Sequence, residues 1–395
     1  MATNVGPIIM ELALPLGMAS FESLREQGMV YVDKTTQIGR LASVRGGKFF
    51  LTRPRRFGKS LLISTFESLF RHGLRYFEEL AAAETWQDQT YNVLRLDFSQ
   101  CAAVRTEADF LQCTSGMFRE AFAKAGLTWP RDVDLQEDPF GALALFLVEQ
   151  PVGSLVLLID EYDAPLAALL DNSAVFESVR DQLANFYRKI KSYDGCLRFL
   201  FITGILRFQS LFFALNSLTD ISFKANDGNL LGYTRDEIER NFAPWLLKAE
   251  KATGLSREAL FNRLTRQYGG YCFDQDAQTR VFNPWSVLQF LAEPESGFLN
   301  YWHESGGVPT VLQTYLKTKV LSMSGGDEVG GEVSLSALRS TDAVDELDGN
   351  LLLTQAGCLT IQSVEDSEAI LAYPNQEAAQ AAACLSAGKR SYTLR

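Results

Sequence analysis

Two short groups of residues in this chain could do phosphate chemistry together. The first runs Lys48-Phe49-Phe50-Leu51-Thr52 into Arg53-Pro54-Arg55-Arg56-Phe57-Gly58-Lys59-Ser60-Leu61: an apolar strand, a loop, then Gly-Lys-Ser opening a helix. Backbone N–H groups at a helix start face an anion, and the helix dipole favours negative charge there. In such a loop Lys59 reaches the outer phosphates of a nucleotide and the Ser60 hydroxyl sits on Mg²⁺. One position departs from the usual pattern, which has glycine five places before Gly58; here it is Arg53. Pro54 fixes its own φ and stiffens the loop, so packing could hold the cradle without that glycine. Arg53, Arg55 and Arg56 could contact phosphates, a neighbouring subunit or nucleic acid, or form a solvated basic loop. Positive charge beside an anion site favours a functional role for at least one of them.

The second group is Leu155-Val156-Leu157-Leu158-Ile159 followed by Asp160-Glu161-Tyr162-Asp163. A carboxylate at a strand end can hold the Mg²⁺ shell, which suits Asp160. An adjacent carboxylate can orient and deprotonate the attacking water, which suits Glu161. A buried strand ending in solvated acids would look the same in isolation. Its place roughly a hundred residues after a strand-loop-Gly-Lys-Ser segment makes the two read as halves of one site. A third run, Phe199-Leu200-Phe201-Ile202-Thr203, ends near Arg207. Ligands of parallel sheets bind at the carboxyl ends of strands, so Thr203 could sense the γ-phosphate and the attacking water. It could equally satisfy its own backbone. Arg207 is a candidate charge stabiliser or inter-subunit contact, against the alternative of a surface salt bridge.

These groups need a scaffold that brings several strand ends together. Near-continuous apolar runs at Phe49–Thr52, Val93–Phe98, Leu155–Asp160, Leu197–Thr203 and Asp220–Phe223 predict strands buried on both faces. Helical periodicity lies between them: Leu62, Phe66 and Leu69 share a face, and further helices are expected over Glu107–Ala125 and from about Phe176 to Lys191. Alternation of this kind predicts an α/β domain with a mainly parallel five-stranded sheet, a P-loop NTPase, over residues 1–225. The texture changes after it. Gly232-Tyr233-Thr234 precedes Asp236-Glu237-Ile238 as a helix start, and helical patterns continue through Leu264, Trp285–Leu291 and Val308–Leu321. This predicts a helical, lid-like domain over 226–323. Ser324–Gly331 reads as a linker. Beyond it, a helix over Leu335–Leu353 and a hairpin of Leu359–Ser363 with Glu368–Tyr373 predict a small α+β, winged-helix-like module over 332–395.

Bulk properties narrow the class. The chain has 395 residues, 47% hydrophobic and 22% charged, as in a globular protein, and no apolar run long enough to span a bilayer. Met1–Met18 has no basic residue before its apolar stretch and does not read as a signal peptide. Cys101, Cys113, Cys196, Cys272, Cys358 and Cys384 form no CxxC pair and read as the reduced cysteines of a cytoplasmic protein. With only His72 and His303, a His-rich metal site is excluded. Net charge is −11, yet residues 1–60 carry nine Lys/Arg against four Asp/Glu, whereas 326–377 carry one against eleven. The acidic whole argues against a broad nucleic-acid surface but leaves room for a local one. Asp33 is expected to cap a helix over Thr35–Val44.

Taken with its flanking segments, the loop resembles the bacterial AAA-ATPase-like family, whose members often carry a C-terminal PD-(D/E)XK nuclease domain. The resemblance rests on Tyr31-Val32-Asp33-Lys34-Thr35, Phe50 to Leu61, Leu96-Asp97-Phe98-Ser99, Asp160-Glu161-Tyr162-Asp163-Ala164-Pro165 and Ile202-Thr203-Gly204. It continues in Tyr268-Gly269-Gly270-Tyr271-Cys272-Phe273, Phe282-Asn283-Pro284, Tyr301-Trp302, Gly357-Cys358-Leu359-Thr360 and Tyr373-Pro374-Asn375-Gln376-Glu377. In this family arginine at the first P-loop position is the norm. The resemblance implies an ATPase that binds ATP and Mg²⁺ and acts as a nucleotide-driven switch or motor, in a defence-type or DNA-associated setting. A homo-oligomer, a separate effector protein or DNA would be its partners; a nucleotide-holding regulator and a DNA-binding accessory protein are the competing functions. Asp33 and Lys34 match a segment near the adenine in related ATPases. No lysine has Asp or Glu two residues before it, and the sequence stops about where the nuclease domain of longer relatives begins, so nuclease activity is not expected.

Overall fold

The protein is described here by a computed structural model, covering residues 12–129, 138–208, 211, 215, 217–307, 309, 313, 330–339 and 349–390. Five strands form one parallel sheet: β1 (Gly47–Thr52), β2 (Asn92–Asp97), β3 (Leu155–Asp160), β4 (Leu197–Gly204) and β5 (Thr219–Asp220). Their order across the sheet is β2-β3-β4-β1-β5. The strand before the phosphate loop and the strand before the acids therefore flank β4. Registers align Leu51 with Thr203 and Ile159 with Ile202, which brings the ends of β1, β3 and β4 level.

Alternate residues of these strands feed two apolar layers, which is why the strands read as continuous apolar runs rather than alternating ones. One layer joins Phe50, Leu94, Leu157, Ile159, Leu200 and Ile202 to helices Glu107–Ala125, Pro139–Glu149 and Ser173–Ser192. The other joins Phe49, Leu51, Val156, Leu158, Phe199 and Phe201 to helices Thr35–Ala42 and Lys59–His72, where Leu62, Phe66 and Leu69 are buried as expected. Helix Glu107–Ala125 starts where the sequence predicts, since Thr106 and Asp109 form a reciprocal capping box. A third cluster gathers the helices Arg235–Asn241, Ala243–Thr253, Arg257–Tyr268 and Pro284–Ala292 around Phe242, Leu260, Leu264 and Phe290. The C-terminal part holds an antiparallel three-stranded sheet, ordered β6 (Glu332–Ser334), β8 (Glu368–Ala372), β7 (Thr360–Glu365), with helices Gly349–Ala356 and Gln376–Arg390. Its Leu352, Ala356, Ile361 and Leu371 belong to the same apolar cluster as one face of the large sheet. No helix among the described residues is long and apolar enough to cross a membrane.

Several expectations are corrected. Leu335–Leu353 is not one helix: Leu335 and Ser336 lie in a turn after β6, Ala337–Arg339 is a single 3-10 turn, and a helix covers Gly349–Ala356 among the described residues. The last sheet strand is only Thr219–Asp220, because the Asp220 carboxylate accepts the Ser222 N–H and turns the chain. The helix after Asp33 spans Thr35–Ala42 with Lys34 at the N-cap position, although Asp33 does accept the Thr35 N–H at 2.7 Å. Cys101 and Cys113, read as reduced, are joined by a disulfide: the turn Phe98–Cys101 and the following helix bring their Cα atoms to 5.8 Å. The helix expected over Val308–Leu321 and the linker Ser324–Gly331 fall almost wholly outside the described residues.

Candidate functional site

Lys59 begins the helix that follows β1, and Gly58 caps it at φ 96°, a left-handed conformation that favours glycine. Arg56 is also left-handed, at φ 70°, so the loop turns sharply into the helix. The loop is not a solvated basic coil. Phe57 is buried edge-on against Tyr271 and Phe273, with ring centroids 4.9 and 5.2 Å away. Pro54 lies against Gly357, where an added Cβ would come within 2.7 Å of the Pro54 ring.

The arginines separate by environment. Arg53 is 1% exposed, and its guanidinium donates to the carbonyls of Thr52, Ser222 and Asp227 over the Phe273 ring. Burial lowers its pKa to about 9. The side chain thus ties the loop to the segment after β5, and its own carbonyl accepts from Lys59. Arg56 stacks over Trp285 at 4.4 Å and donates to the Ser305 carbonyl at 2.9 Å. Arg55 is half-buried; its carbonyl accepts from Trp302 Nε1 at 3.2 Å. Arg207 is buried beside the sheet edge, ion-paired with Asp220, between the rings of Phe50 and Phe223.

Lys59 Nζ donates to the carbonyls of Arg53 and Pro54 at 3.0 and 3.1 Å. Burial lowers its pKa, opposed by the charges of Glu161, Asp160 and Asp163. Those acids come from the end of β3. Asp160 is buried and accepts the Thr203 hydroxyl at 2.6 Å; Arg95 Nη2 lies 3.7 Å from its other oxygen. Thr203 therefore links the ends of β3 and β4 rather than bonding its own backbone. Glu161 sits at φ 48°, an uncommon conformation for a side chain of this size. Desolvation raises its pKa, with Lys59 pulling it back. Asp163 accepts the Ile205 and Leu206 N–H groups, which fixes the chain leaving β4.

A cleft of about 450 Å³ opens over this arrangement. Arg55, Arg56, Gly58, Lys59, Ser60, Leu61 and Glu161 line one side, and Tyr233, Trp285 and Ser305 the other. Pro15, Met18 and Ala19 close the end. A smaller, more apolar cavity adjoins it, lined by Val32, Lys34, Ile38, Leu231 and others, and sharing Gly58, Leu61, Tyr233 and Pro284. Lys34 there is held by Glu237 at 2.5 Å and by the Asn229 carbonyl. Phosphate-loop and acidic residues are thus brought together. Arg53 and Pro54 meet Lys59 through their carbonyls, Asp160 and Thr203 lie behind the wall, and Arg207 is not part of the lining. The far wall was missed by sequence reading: Trp285 and Ser305 lie more than two hundred residues from the loop, with no spacing to mark them. Asp163 was in plain view within the acidic string, but its partners are backbone amides.

The residues that could hold a cation here, the Ser60 hydroxyl and the carboxylate of Asp160 beside Glu161, would suit a hard divalent ion. These donors are all oxygen, and no cluster of three or more His, Cys, Asp or Glu among the described residues could make a protein-only cage. A Mg²⁺ ion takes one or two carboxylates and completes its shell with water and phosphate oxygens.

A family model described as a predicted AAA-ATPase matches residues 15–212. A protein of Azotobacter chroococcum mcd 1, described as an uncharacterized protein in the vnfD 5' region, is 32% identical over 372 residues, covering 92% of this chain and 68% of the relative.

Proposed function

This chain belongs to the AAA-ATPase-like family, and from that premise we propose that it binds ATP with Mg²⁺ in the cleft and hydrolyses it. The observation that carries the proposal is that the helix-starting Lys59 and Glu161 line one cleft, with the charges of Asp160 and Asp163 close to Lys59 as well. Lys59 would exchange its two loop carbonyls for β- and γ-phosphate oxygens, regaining the charge partner that burial makes necessary. Ser60 and Asp160 would hold Mg²⁺, which neutralises phosphate charge when bound. Glu161 takes a proton from the attacking water, and Thr203 holds the Asp160 carboxylate in orientation. The adjoining apolar cavity is the natural place for the base. We assign phosphate binding to residues 1–225 and read 226–323 and 332–395 as the parts whose arrangement responds to it.

The test is phosphate release from Mg·ATP by wild type, Lys59→Ala and Glu161→Gln. Lys59→Ala should lose nucleotide binding. Glu161→Gln should bind normally while releasing phosphate about 100-fold more slowly or worse. A second reading, a regulator that holds nucleotide with little turnover, is favoured by the contacts that tie the loop down: Lys59 is bonded to its own loop and Arg56 to the Ser305 carbonyl. Equal phosphate release by wild type and Glu161→Gln would select it.

A further inference from the structure

Of the four arginines that the sequence offers for phosphate chemistry, three are committed to the fold. Arg53 is buried on three carbonyls, Arg207 is paired with Asp220, and Arg56 is laid across Trp285 onto Ser305. Arg55 is placed differently. Behind the main cleft lies a second cavity of about 110 Å³, walled by Ala102, Asp163, Ala164, Ile205 and Leu206 among others. Arg55 and Glu161 are the two residues that line both spaces. The Arg55 main chain is clamped on each side. Pro54 is wedged against Gly357, the Arg55 carbonyl is held by Trp302, and Trp302 is held through its N–H by the Glu377 carboxylate at 2.7 Å. The Arg55 side chain itself lines both spaces, near the charges of Glu161, the carboxylate best placed to activate water, and Lys59.

We propose that Arg55 is a catalytic residue: the cation that neutralises the charge developing on the transferred phosphoryl group, supplied in cis from within the phosphate loop. This rests on the hydrolysis reading above. In the step, the water oxygen bonds to the γ-phosphorus and the bond from that phosphorus to the β–γ bridging oxygen breaks. The bridging electron pair leaves with ADP, and the water proton passes to Glu161. Arg55 gains and loses no proton; it acts by position and charge, as expected where catalysis of phosphoryl transfer is largely electrostatic. A cation from a neighbouring chain is then unnecessary.

The experiment uses the full chain. Arg55→Ala and Arg55→Lys are compared with wild type for binding of a fluorescent ATP analogue, single-turnover phosphate release and melting temperature. Arg55→Ala should keep its melting temperature and bind the analogue within a few-fold of wild type. Its turnover should fall about 100-fold or more, with Arg55→Lys recovering part of the loss. Arg55→Ala turning over like wild type overturns the proposal. So does a loss confined to affinity with full turnover at saturation. Mixing Arg55→Ala with Lys59→Ala should restore nothing; restored activity would place Arg55 in trans and overturn the cis assignment. A wild-type protein that binds ATP without releasing phosphate overturns hydrolysis itself, an outcome distinct from two equally active proteins.

Discussion

Arg53 and Lys59 are both buried within the same loop, yet burial acts on them to different ends. For Arg53 every contact is internal, so the charge in place of the expected glycine serves as a brace: its side chain fixes where the loop leaves β1. For Lys59 the partners are loop carbonyls facing a cleft, contacts that a phosphate oxygen can replace at a gain, because charged acceptors bind an ammonium more strongly than neutral ones. Glu161 depends on pH in a direction that can be worked out. Its desolvated carboxyl has a raised pKa, and a general base works only when deprotonated. The acid limb of the phosphate-release profile should therefore lie at higher pH than an ordinary carboxylate would give. Glu161→Gln should abolish that limb along with the activity. A wild-type profile flat down to the usual carboxylate range would rule out Glu161 as the base.

At the level of elements, what was legible in the sequence was what local physics decides. β3 and the helix Glu107–Ala125 appear where expected, because a continuous apolar run needs burial on both faces and a capping box fixes a helix start. The phosphate loop and the acidic cluster were legible as halves of one site because each follows its own strand. The cleft's far wall, the Cys101–Cys113 pair and the break-up of Leu335–Leu353 were not legible, since each is set by contacts between distant segments. One local residue carries more than its type suggests. Gly204 ends β4, and a Cβ there would lie 2.5 Å from Asp163 Oδ1 and 2.6 Å from the Tyr162 ring. Both neighbours are pinned, Asp163 by the Ile205 and Leu206 amides and Tyr162 by the Leu206 carbonyl and the Phe208 N–H. Gly204→Ala should therefore cost about 1–3 kcal/mol in denaturant unfolding, as overpacking does. It should also slow phosphate release, because Thr203 is the preceding residue. Unchanged stability would show that the turn yields.

Across the whole molecule, the C-terminal helix reaches the phosphate loop through a chain of named contacts. Glu377 is buried, accepting from Ser286 and Trp302, and burial raises its pKa to about 7. The sign follows from linkage. Between the ordinary carboxylate range and about pH 7 the folded protein holds a proton at Glu377 that the unfolded chain has lost. Stability therefore falls as pH rises through that window and levels off above it, by roughly 3 kcal/mol from this residue alone. Glu377→Gln should flatten the decline, read as unfolding midpoints from pH 4.5 to 8; an equal slope in both proteins would locate the titration elsewhere. The wedge of Gly357 against Pro54 has a wider consequence. Free-energy coupling between two sites is reciprocal. If filling the cradle shifts Pro54, the C-terminal segment must shift or resist. Whatever then seizes that segment from outside changes the grip on nucleotide by the same factor that nucleotide changes the grip on it. A contact too tight for any Cβ would then be the place where the two ligands negotiate.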